Sequence, residues 1–392
     1  MCCHQGSCVE KEKKPPAGKS EASLAHTHDS AVPKLSVIVP VYNGGLQLSR
    51  CLEGLRLSEY SDFEVIVVDD CSTDDTQEIL QRYRVHSTRT PRTLGPAGAR
   101  NWGTGFAQAC ILVFVDADVV LPPKALGLIA QVFERDWQLA AAFGSYDEEP
   151  AWGNFLSQYK NLMHCYVHQN SNEIATTFWA GCGAVRKVVF LDFGGFDAAR
   201  YHHPSIEDIE LGYRLTQGGQ KIRLMKQLQV KHLKKWTLRS LIRTDILSRA
   251  VPWTRLILET RRLPRDLNLT SGARVSTGLV GLLSLGWVIL FLQAANLIPT
   301  ISLPRTLIKE LAVVALLAGV LVALNWHMYS FFAKKRGWWF AARVVPMHWF
   351  YYLYSGVVFV TCGTAQMVRL VFTSLLRAAW TSREASDRIK TR

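Results

Sequence analysis

The sequence predicts an α/β protein with a mostly parallel sheet, followed by an α-helical membrane domain. In the first two thirds of the chain, short apolar runs that end in Asp, Asn or Gly alternate with helix-like segments, which is the pattern of successive βα units. In the last third, three long runs contain no Asp, Glu, Lys or Arg. The 392 residues leave room for about two or three domain-sized units.

The stretch Ile111–Asp118, with the sequence ILVFVDAD, indicates where a site would lie. Its five consecutive apolar residues are typical of a strand buried on both faces, and its end supplies the carboxylates of Asp116 and Asp118. Ligands bind beyond the carboxyl ends of such strands, and Mg²⁺ or Mn²⁺ is typically held there by one or two carboxylates, water and substrate phosphates. A solvated Asp-x-Asp turn is the alternative, and this stretch alone does not separate the two.

Further turns upstream are expected at the same edge of the sheet. A first strand ends at Tyr42, and a second, over Phe63–Val68, leads into Asp70. A carboxylate there either accepts from the base or ribose of a nucleotide or is an ordinary helix cap. The turn Gly95–Asn101 opens a helix with Arg100 near its start, which either lies over a diphosphate or belongs to tight helix packing.

Several segments agree with one known family in order and spacing: SVIVPVYN, VIVVDDCSTDDT, LGPAGARN, VFVDAD, FWAGCGAVRK, GGFD and IEDIELGYRL. The series resembles the family 2 glycosyltransferases with the GT-A fold, over about Leu35–Leu215. The resemblance is specific because several independent motifs agree. It implies an inverting transferase that uses a nucleotide-diphospho-sugar donor and a divalent metal, Mg²⁺ or Mn²⁺.

The resemblance also implies roles for residues of the donor site. Pro40 and Tyr42 would flank the nucleobase, and Asp70 would accept from the base. Asp116 would lie near the ribose and the metal, while Asp118 would be the principal metal ligand. His232, which follows the last core strand, is the candidate for a contact with the metal or the diphosphate.

The segment Thr176–Ala184 matches the part of the family that borders the donor sugar. Gly181 and Gly183 would allow close backbone approach there. Cys182 lies where a nucleophile would be placed, but inversion needs no covalent intermediate, so we expect no covalent role for it.

The acidic pair Glu207-Asp208 matches the family's pair, in which the second acid is the general base. The chemistry needs such a group independently, because the attacking hydroxyl must lose a proton on the face opposite the leaving nucleoside diphosphate. Complementation of a helix N-terminus is the alternative for these two acids, and the helix dipole favours their ionised form.

The segment 237–273 is expected to form basic amphipathic helices in the membrane interface. Lys231–Arg274 contains eleven Lys or Arg against three acids, interleaved with apolar residues, and Pro252 is expected to divide it into two helices. The Gln-x-x-Arg-Trp signature of processive synthases is absent and only Arg249–Trp253 faintly resembles it. This favours transfer of a single sugar.

The three uncharged runs predict about three membrane spans, near residues 275–298, 311–333 and 344–368. The basic residues between the second and third runs place that loop on the side of the catalytic domain. Full crossing of the third run would put the basic C-terminal tail on the other side, and a re-entrant segment would keep it on the catalytic side. We favour three spans.

The predicted division of the chain is a disordered tail (1–33), a GT-A domain (34–236), interfacial helices (237–273) and a membrane domain (274–392). Nine cysteines without a Cys-x-x-Cys pair, and no signal-peptide-like segment, favour a cytoplasmic catalytic domain on the cell membrane. The net charge of +13 is concentrated beside the hydrophobic runs, which favours anionic lipid and not nucleic acid as the partner.

The sequence therefore predicts an inverting, metal-dependent transferase that moves one sugar from a nucleotide donor to a lipid or lipid-linked acceptor at the membrane. A processive polysaccharide synthase is the first alternative. A non-catalytic membrane scaffold that retains the fold is the second.

Overall fold

The computed structural model describes residues 32–264, 266–295, 297 and 304–390. Nearly all of the predicted N-terminal tail (1–33) and the end of the C-terminal tail lie outside the described residues. The same holds for part of the connection after the first hydrophobic run.

The described strands form one nine-stranded sheet. They are β1 (Leu35–Val41), β2 (Phe63–Asp69), β3 (His86–Arg89), β4 (Ile111–Val115), β5 (Val119–Val120), β6 (Leu139–Tyr146), β7 (Ile174–Ala175), β8 (Cys182–Arg186) and β9 (Lys221–His232). Their order is β3-β2-β1-β4-β8-β6-β9-β5, with β7 also paired to β9. Strands β1 to β4, β6 and β9 run in one direction, and β5, β7 and β8 run against their neighbours.

The described helices include several that cover the sheet and several that follow it. They are α1 (Gly45–Arg56), α2 (Thr76–Tyr83), α3 (Gly95–Thr104), α4 (Ala125–Arg135), α5 (Phe155–Asn170), α6 (Lys187–Asp192), α7 (Glu207–Gln217), α8 (Leu238–Arg243), α9 (Val251–Thr260), α10 (Ser271–Ala294), α11 (Pro304–Leu324), α12 (Trp326–Arg336) and α13 (Trp338–Lys390). A π-helical segment, Thr244–Ala250, joins α8 to α9, and a short 3₁₀ turn, Leu267–Leu269, precedes α10.

The core lies on both faces of the sheet, as the apolar runs predict. Along β4, Val113 and Val115 join the cluster that contains residues of α1, α2 and α4. Leu112 and Phe114 join the cluster on the opposite face, with residues of α3, α6 and α7. Successive side chains of a strand point to opposite faces, so a strand buried on both sides needs an unbroken apolar run.

Strand β9 includes His232, which the sequence analysis places after the last core strand. Residues of β9 from Lys221 to Val230 pair with β6, and the last two, Lys231 and His232, pair with Val120 and Val119 of β5. The extension brings the end of β9 beside the loop that contains Asp116 and Asp118.

The C-terminal helices differ from the predicted spans. Among the described residues, α10 alone is long and apolar enough to cross a membrane as a single helix. Helices α11 and α12 pass the same test only as a pair, with a bend of 67° between them. The third run, Val344–Val368, lies within the long helix α13 and does not form a separate hydrophobic helix.

The bend between α11 and α12 is centred on Asn325. This buried side chain donates to Ser276 Oγ (3.0 Å) and to the carbonyl of Leu321 (2.9 Å), and accepts from the hydroxyl of Tyr352 (3.0 Å). Asn competes well for backbone groups at a helix boundary. Helix α12 then packs against α5 and α8 through a cluster that includes Phe332, so it docks on the catalytic domain.

Pro252 does not divide the basic segment into two separate helices, contrary to the prediction. The backbone stays helical from Leu238 to Thr260 through the π-helical segment, and Pro252 lies in the first turn of α9. Proline cannot donate to the carbonyl four residues back, here that of Ser248. The hydroxyl of Ser205 donates to this carbonyl instead (3.2 Å), which attaches the segment to the loop before α7.

A buried ion pair fastens the π-helical segment to the catalytic domain. Lys160 Nζ on α5 lies 2.6 and 2.7 Å from the two carboxylate oxygens of Asp245, and Tyr354 of α13 donates to the same carboxylate at 2.8 Å. Both charged side chains are about 5% exposed. Three elements distant in sequence therefore depend on one pair.

Replacing Lys160 with Met is expected to lower the free energy of unfolding by about 3–5 kcal/mol, because it leaves the charge of Asp245 buried and uncompensated. Thermal melting of the full chain in detergent checks this. The matched control is Lys335→Met, which removes the more exposed pair with Glu148 and should cost about 1 kcal/mol or less. Equal losses in the two variants would contradict the assignment.

Candidate active site

Three adjacent strands end at one edge of the sheet and place the first site residues there. Val41 of β1 pairs with Asp69 of β2, and Ile38 of β1 pairs with Phe114 of β4. Tyr42, Asp70 and Asp116, which follow these strands, therefore share one edge. All three line a single cavity of about 1440 Å³.

Asp70 is buried and organises the start of α3. Its carboxylate accepts from the hydroxyl of Thr90 and from the backbone N–H groups of Leu94 and Gly95, each at 2.8 Å. Gly95 has a φ of +75°, and a Cβ there would lie 2.0 Å from the carbonyl oxygen of His202, so only glycine fits. Contact with the nucleobase remains a prediction for Asp70, as for Pro40 and Tyr42 beside it.

Arg100 joins the metal motif to the acidic pair. Its buried guanidinium donates to Asp116 Oδ1 at 2.6 Å and to Glu207 Oε1 at 2.9 Å. Burial opposes the positive charge, but the carboxylates of Asp116 and Glu207 outweigh it and raise the pKa of Arg100. The guanidinium thus hydrogen-bonds to two carboxylates. The sequence analysis considers two other roles for Arg100, contact with a diphosphate and helix packing.

Asp118 faces His232 across the junction of β5 and β9. Asp118 Oδ2 lies 3.4 Å from His232 Nε2, and the imidazole stacks on the ring of Tyr146 at a centroid distance of 4.4 Å. Burial raises the pKa of Asp116, with a further contribution from the charge of Asp118. Burial also acts against ionisation of Asp118, but the contact with His232 prevails and lowers its pKa.

The donor set fits a hard divalent cation that is only partly enclosed by protein. The side chains of Asp116 and Asp118 are 33% and 31% exposed and face the cavity. Within the described residues, no group of three or more His, Cys, Asp or Glu could hold a metal by itself. Mg²⁺ and Mn²⁺ usually keep bound waters and bind substrate phosphates alongside one or two carboxylates, so Asp116 and Asp118 suffice as carboxylate ligands.

Gly181 and Cys182 lie behind the cavity and not among its lining residues. The carbonyl of Gly181 accepts from the backbone N–H of Asp116 (3.1 Å), and a Cβ at Gly181 would lie 2.4 Å from the indole of Trp179. Cys182 is fully buried in β8, where burial and the charge of Asp116 raise its thiol pKa to about 12. A thiol so protonated is no nucleophile, in agreement with the sequence analysis.

Asp208 is the acid whose pKa is shifted toward neutrality. Burial, together with the charge of Glu207, raises the pKa of Asp208 to about 6. Its oxygens accept from the backbone N–H groups of Ala180 (3.1 Å) and Ile209 (2.8 Å). The helix dipole predicts easier ionisation of an acid in the first turn of α7, and the loss of solvent outweighs that effect.

Gly212 permits the close packing that places Asp208. A Cβ at Gly212 would lie 2.3 Å from the backbone nitrogen of Phe178, so α7 can approach this loop only through glycine. The approach sets Asp208 against the N–H of Ala180 and beside Trp179, which lines the cavity.

The cavity extends beyond Asp208 to residues that the sequence analysis does not assign to the site. Two of them, His164 and His168, lie on α5. Further lining residues come from the basic segment and from α10 and α13: Lys234, Asp245, Ser248, Arg249, Trp253, Arg274, Thr277, Gly278, Gly281, Gly356, Val357 and Val360. One continuous cavity therefore connects the sheet edge with the hydrophobic helices.

The fold is that of a GT-A-like α/β domain. The solved structure of a mannosyltransferase from Pyrobaculum calidifontis, determined in complex with GDP-Man and Mn²⁺, superposes with a TM-score of 0.54 at 18% identity. The superposition covers 89% of this chain and 91% of that one.

Residues 36–193 match the family model described as Glycosyl transferase family 2. Over 129 residues the chain is 34% identical to the glycosyltransferase GlyG of Streptococcus pneumoniae, covering 31% of this chain and 42% of that protein. Over 106 residues it is 34% identical to the GalNAc(5)-diNAcBac-PP-undecaprenol beta-1,3-glucosyltransferase of Campylobacter jejuni, covering 26% and 34%. Residues 36–193 thus form a domain that matches glycosyl transferase family 2, and the alignments span less than half the length of these relatives.

Arg100→Met is expected to lower the free energy of unfolding by about 3–5 kcal/mol, since it leaves the buried carboxylate of Glu207 and the partly exposed carboxylate of Asp116 without their counter-charge. Arg100 acts to lower the pKa of Asp116, so its loss raises that pKa, and the destabilisation should be greater at pH 8 than at pH 5, where protonation relieves it. Melting temperatures across this pH range check the sign. Arg56→Met, which removes an exposed pair with Glu53, is the control and should show no such dependence.

Proposed function

We propose that the protein is an inverting glycosyltransferase that moves one sugar from a nucleotide-diphospho-sugar to a membrane-associated lipid or lipid-linked acceptor. One observation carries the proposal. A single cavity contains the carboxylates of Asp116, Asp118, Glu207 and Asp208 at the edge of the sheet and continues between α10 and α13. The Pyrobaculum enzyme was solved with a nucleotide-sugar, and the name of the Campylobacter enzyme specifies a lipid-linked acceptor. These two ligands agree with the acidic end and the apolar end of the cavity.

The nucleotide end of the cavity is formed by the turns after β1 and β2. Asn43 ties these turns together, because its N–H donates to Ser72 Oγ (2.9 Å) and its side-chain oxygen accepts from the N–H of Thr73 (2.7 Å). Pro40 and the half-exposed Tyr42 then flank the base, and Asp70 accepts from it. A rigid, pre-formed turn holds the nucleotide without ordering the chain on binding.

Asp118 would be the principal ligand of Mg²⁺ or Mn²⁺, with Asp116 and His232 beside it. A divalent cation bound here neutralises charge that develops on the leaving diphosphate. Arg100 holds Asp116 in place and offsets part of the negative charge of the site. Gly181 supports the same loop through its carbonyl, and Cys182 packs behind it, so both contribute to the donor site indirectly.

Asp208 would remove the proton from the acceptor hydroxyl. The hydroxyl oxygen forms a bond to the anomeric carbon, the bond from that carbon to the diphosphate breaks, and its electron pair leaves with the nucleoside diphosphate. A carboxylate with a pKa near 6 is largely ionised at neutral pH and is still basic enough to take a proton in the transition state. Glu207, bound to Arg100, fixes the first turn of α7 and with it the position of Asp208.

The membrane arrangement belongs to the same proposal. Helix α10 crosses the bilayer, and α11 with α12 forms a second, bent element. The basic residues Lys335 and Arg336, at the end of α12, contact Glu148 of the catalytic domain. This side is then cytoplasmic by the positive-inside rule, and nucleotide-sugars reach the site from the cytosol.

Assay of the purified full chain in detergent against a panel of nucleotide-sugars, with free nucleoside diphosphate as the readout, tests the function. Chelation should abolish turnover, and Mn²⁺ or Mg²⁺ should restore it. In Asp118→Ala, neither ion should restore activity, because the principal ligand is missing. Full activity in excess chelator would overturn the metal assignment.

Asp208→Asn is expected to lower kcat by about 10²–10⁴-fold, because the amide keeps the shape but cannot accept the proton. Donor affinity, measured by titration calorimetry, should stay near that of the wild type. In the wild type, kcat/KM should decline as the pH falls below about 6, where Asp208 becomes protonated. Weakened donor binding with normal turnover would instead make Asp208 a donor-site residue.

A further inference from the structure

The two halves of the cavity carry opposite charge. Around Arg100 the sheet edge presents four carboxylates, those of Asp116, Asp118, Glu207 and Asp208. The half that leads to α10 and α13 is lined by the cations Lys160, Lys234, Arg249 and Arg274. Among the described residues that line this half, the carboxylate is that of Asp245. Asp245 is already bound to Lys160 at 2.6 Å, which leaves this half with excess positive charge.

Arg249, like Lys234 and Arg274, has no carboxylate partner within hydrogen-bond distance in the part of the chain that the structure describes. It is half-buried on the π-helical segment, and its NH1 atom lies 3.0 Å from His164 Nε2. Arg274, by contrast, donates to the backbone carbonyls of Leu263, Pro264 and Leu269. The guanidinium of Arg249 therefore retains donors that no protein acid satisfies, and it faces the cavity.

A chain of ring contacts gives the position of Arg249 relative to the metal motif. His232, beside Asp118, stacks on Tyr146 at 4.4 Å, and Tyr146 lies edge-on to His164 at 5.8 Å. The guanidinium of Arg249 is the next group in this series, in contact with the ring of His164. The rings of His232, Tyr146 and His164 thus form a series of contacts between Asp118 and the guanidinium of Arg249.

Beyond Arg249 the cavity becomes an apolar groove between α10 and α13. Gly278 and Gly281 line it from α10, and Val357 and Val360 line it from α13. A Cβ added at either glycine would meet no atom within 4 Å, so the groove has open space along this wall. This open space and the apolar lining suit a hydrocarbon chain.

We propose that Arg249, assisted by Lys234, binds a phosphate group of the acceptor lipid, whose hydrocarbon chain lies along α10 and α13. Arg is suited to this role because its planar guanidinium binds phosphate oxygens with two parallel hydrogen bonds. The inference rests on the proposed function, since it concerns the acceptor of the same cavity. The phosphate contributes to binding of the acceptor and does not react.

The charge distribution explains why the phosphate would not be the attacking group. An anionic nucleophile would have to approach four carboxylates, of which Arg100 pairs with two, Asp116 and Glu207, and this is electrostatically unfavourable. A neutral hydroxyl is compatible with that environment and needs the base that Asp208 provides. The acceptor is therefore a phosphate-bearing lipid that presents a hydroxyl to Asp208.

Binding measurements on the full chain in nanodiscs test this without requiring turnover, so they are independent of the transferase assay. The probes are a long-chain polyprenyl diphosphate, the polyprenol of the same chain length and inorganic diphosphate. Wild-type protein should bind the polyprenyl diphosphate about tenfold more tightly than the polyprenol, or better, since charge-assisted hydrogen bonds distinguish the two. Inorganic diphosphate, which lacks the chain, should bind more weakly than the lipid.

In Arg249→Gln the preference for polyprenyl diphosphate over polyprenol should disappear. The affinity for nucleotide-sugar should stay within about twofold of wild type, which is far less than the roughly tenfold change expected when a charged contact is lost. Lys234→Gln should reduce the preference in the same direction and serves if Arg249→Gln does not fold. The matched control is Arg255→Gln, an exposed arginine on α9 that does not line the cavity, and it should keep the full preference.

Three results would overturn the proposal. Equal wild-type affinity for polyprenyl diphosphate and polyprenol would show that no phosphate is recognised. Equal, Arg249-dependent affinity for inorganic diphosphate would indicate a free-anion site. Loss of nucleotide-sugar affinity in Arg249→Gln would place the arginine at the donor diphosphate.

Discussion

The active-site region depends on the buried guanidinium of Arg100. This one side chain connects the end of β4, through Asp116, to the first turn of α7, through Glu207. These two elements carry the candidate metal ligand and the candidate base, and they are more than 90 residues apart in sequence. A buried cation held between two acids is favourable only if both hydrogen bonds are made, so the geometry of the three groups is strongly coupled.

The pairing also separates the behaviour of the two neighbouring acids on α7. Arg100 hydrogen-bonds to Glu207 and not to Asp208, so the second acid is left with backbone N–H groups and a nearby negative charge. Burial and that charge raise its pKa to about 6. The two adjacent acids thus differ in their surroundings, and the proposed function assigns them different roles on that basis.

Much of the α/β domain could be predicted because its signals are local. The unbroken apolar run of β4 predicts burial on both faces, and Gly95, with its left-handed backbone, marks the start of α3. The continuation of β9 to His232 is not predicted, although Ile222, Leu224, Leu228 and Val230 are apolar at even spacing, because the pairing with β6 shifts register between Leu224 and Gln229 and the partner changes at the end.

The contacts that complete the site could not be read from the sequence, since they join residues far apart in the chain. Nothing near Lys160 or Arg249 in sequence indicates that the first binds Asp245 and the second His164. The sequence analysis recognises three uncharged runs, but among the described residues only α10 is by itself long and apolar enough to cross a membrane. Asn325 bends the second run and turns α12 back onto α5, which a hydropathy count cannot register.

Pro252 shows how the basic segment and the catalytic loop become one unit. Because the proline has no N–H, the carbonyl of Ser248 is open to another donor, and Ser205 supplies it two residues before Glu207. The π-helical turn that accommodates the proline also turns Asp245 toward Lys160 and Arg249 toward the cavity. A residue that would ordinarily end a helix thus fixes the wall between the acidic and basic halves of the cavity. In the proposed function, the position of an acceptor along α10 and α13 would then be set by the same segment that contacts the loop before the proposed base, Asp208.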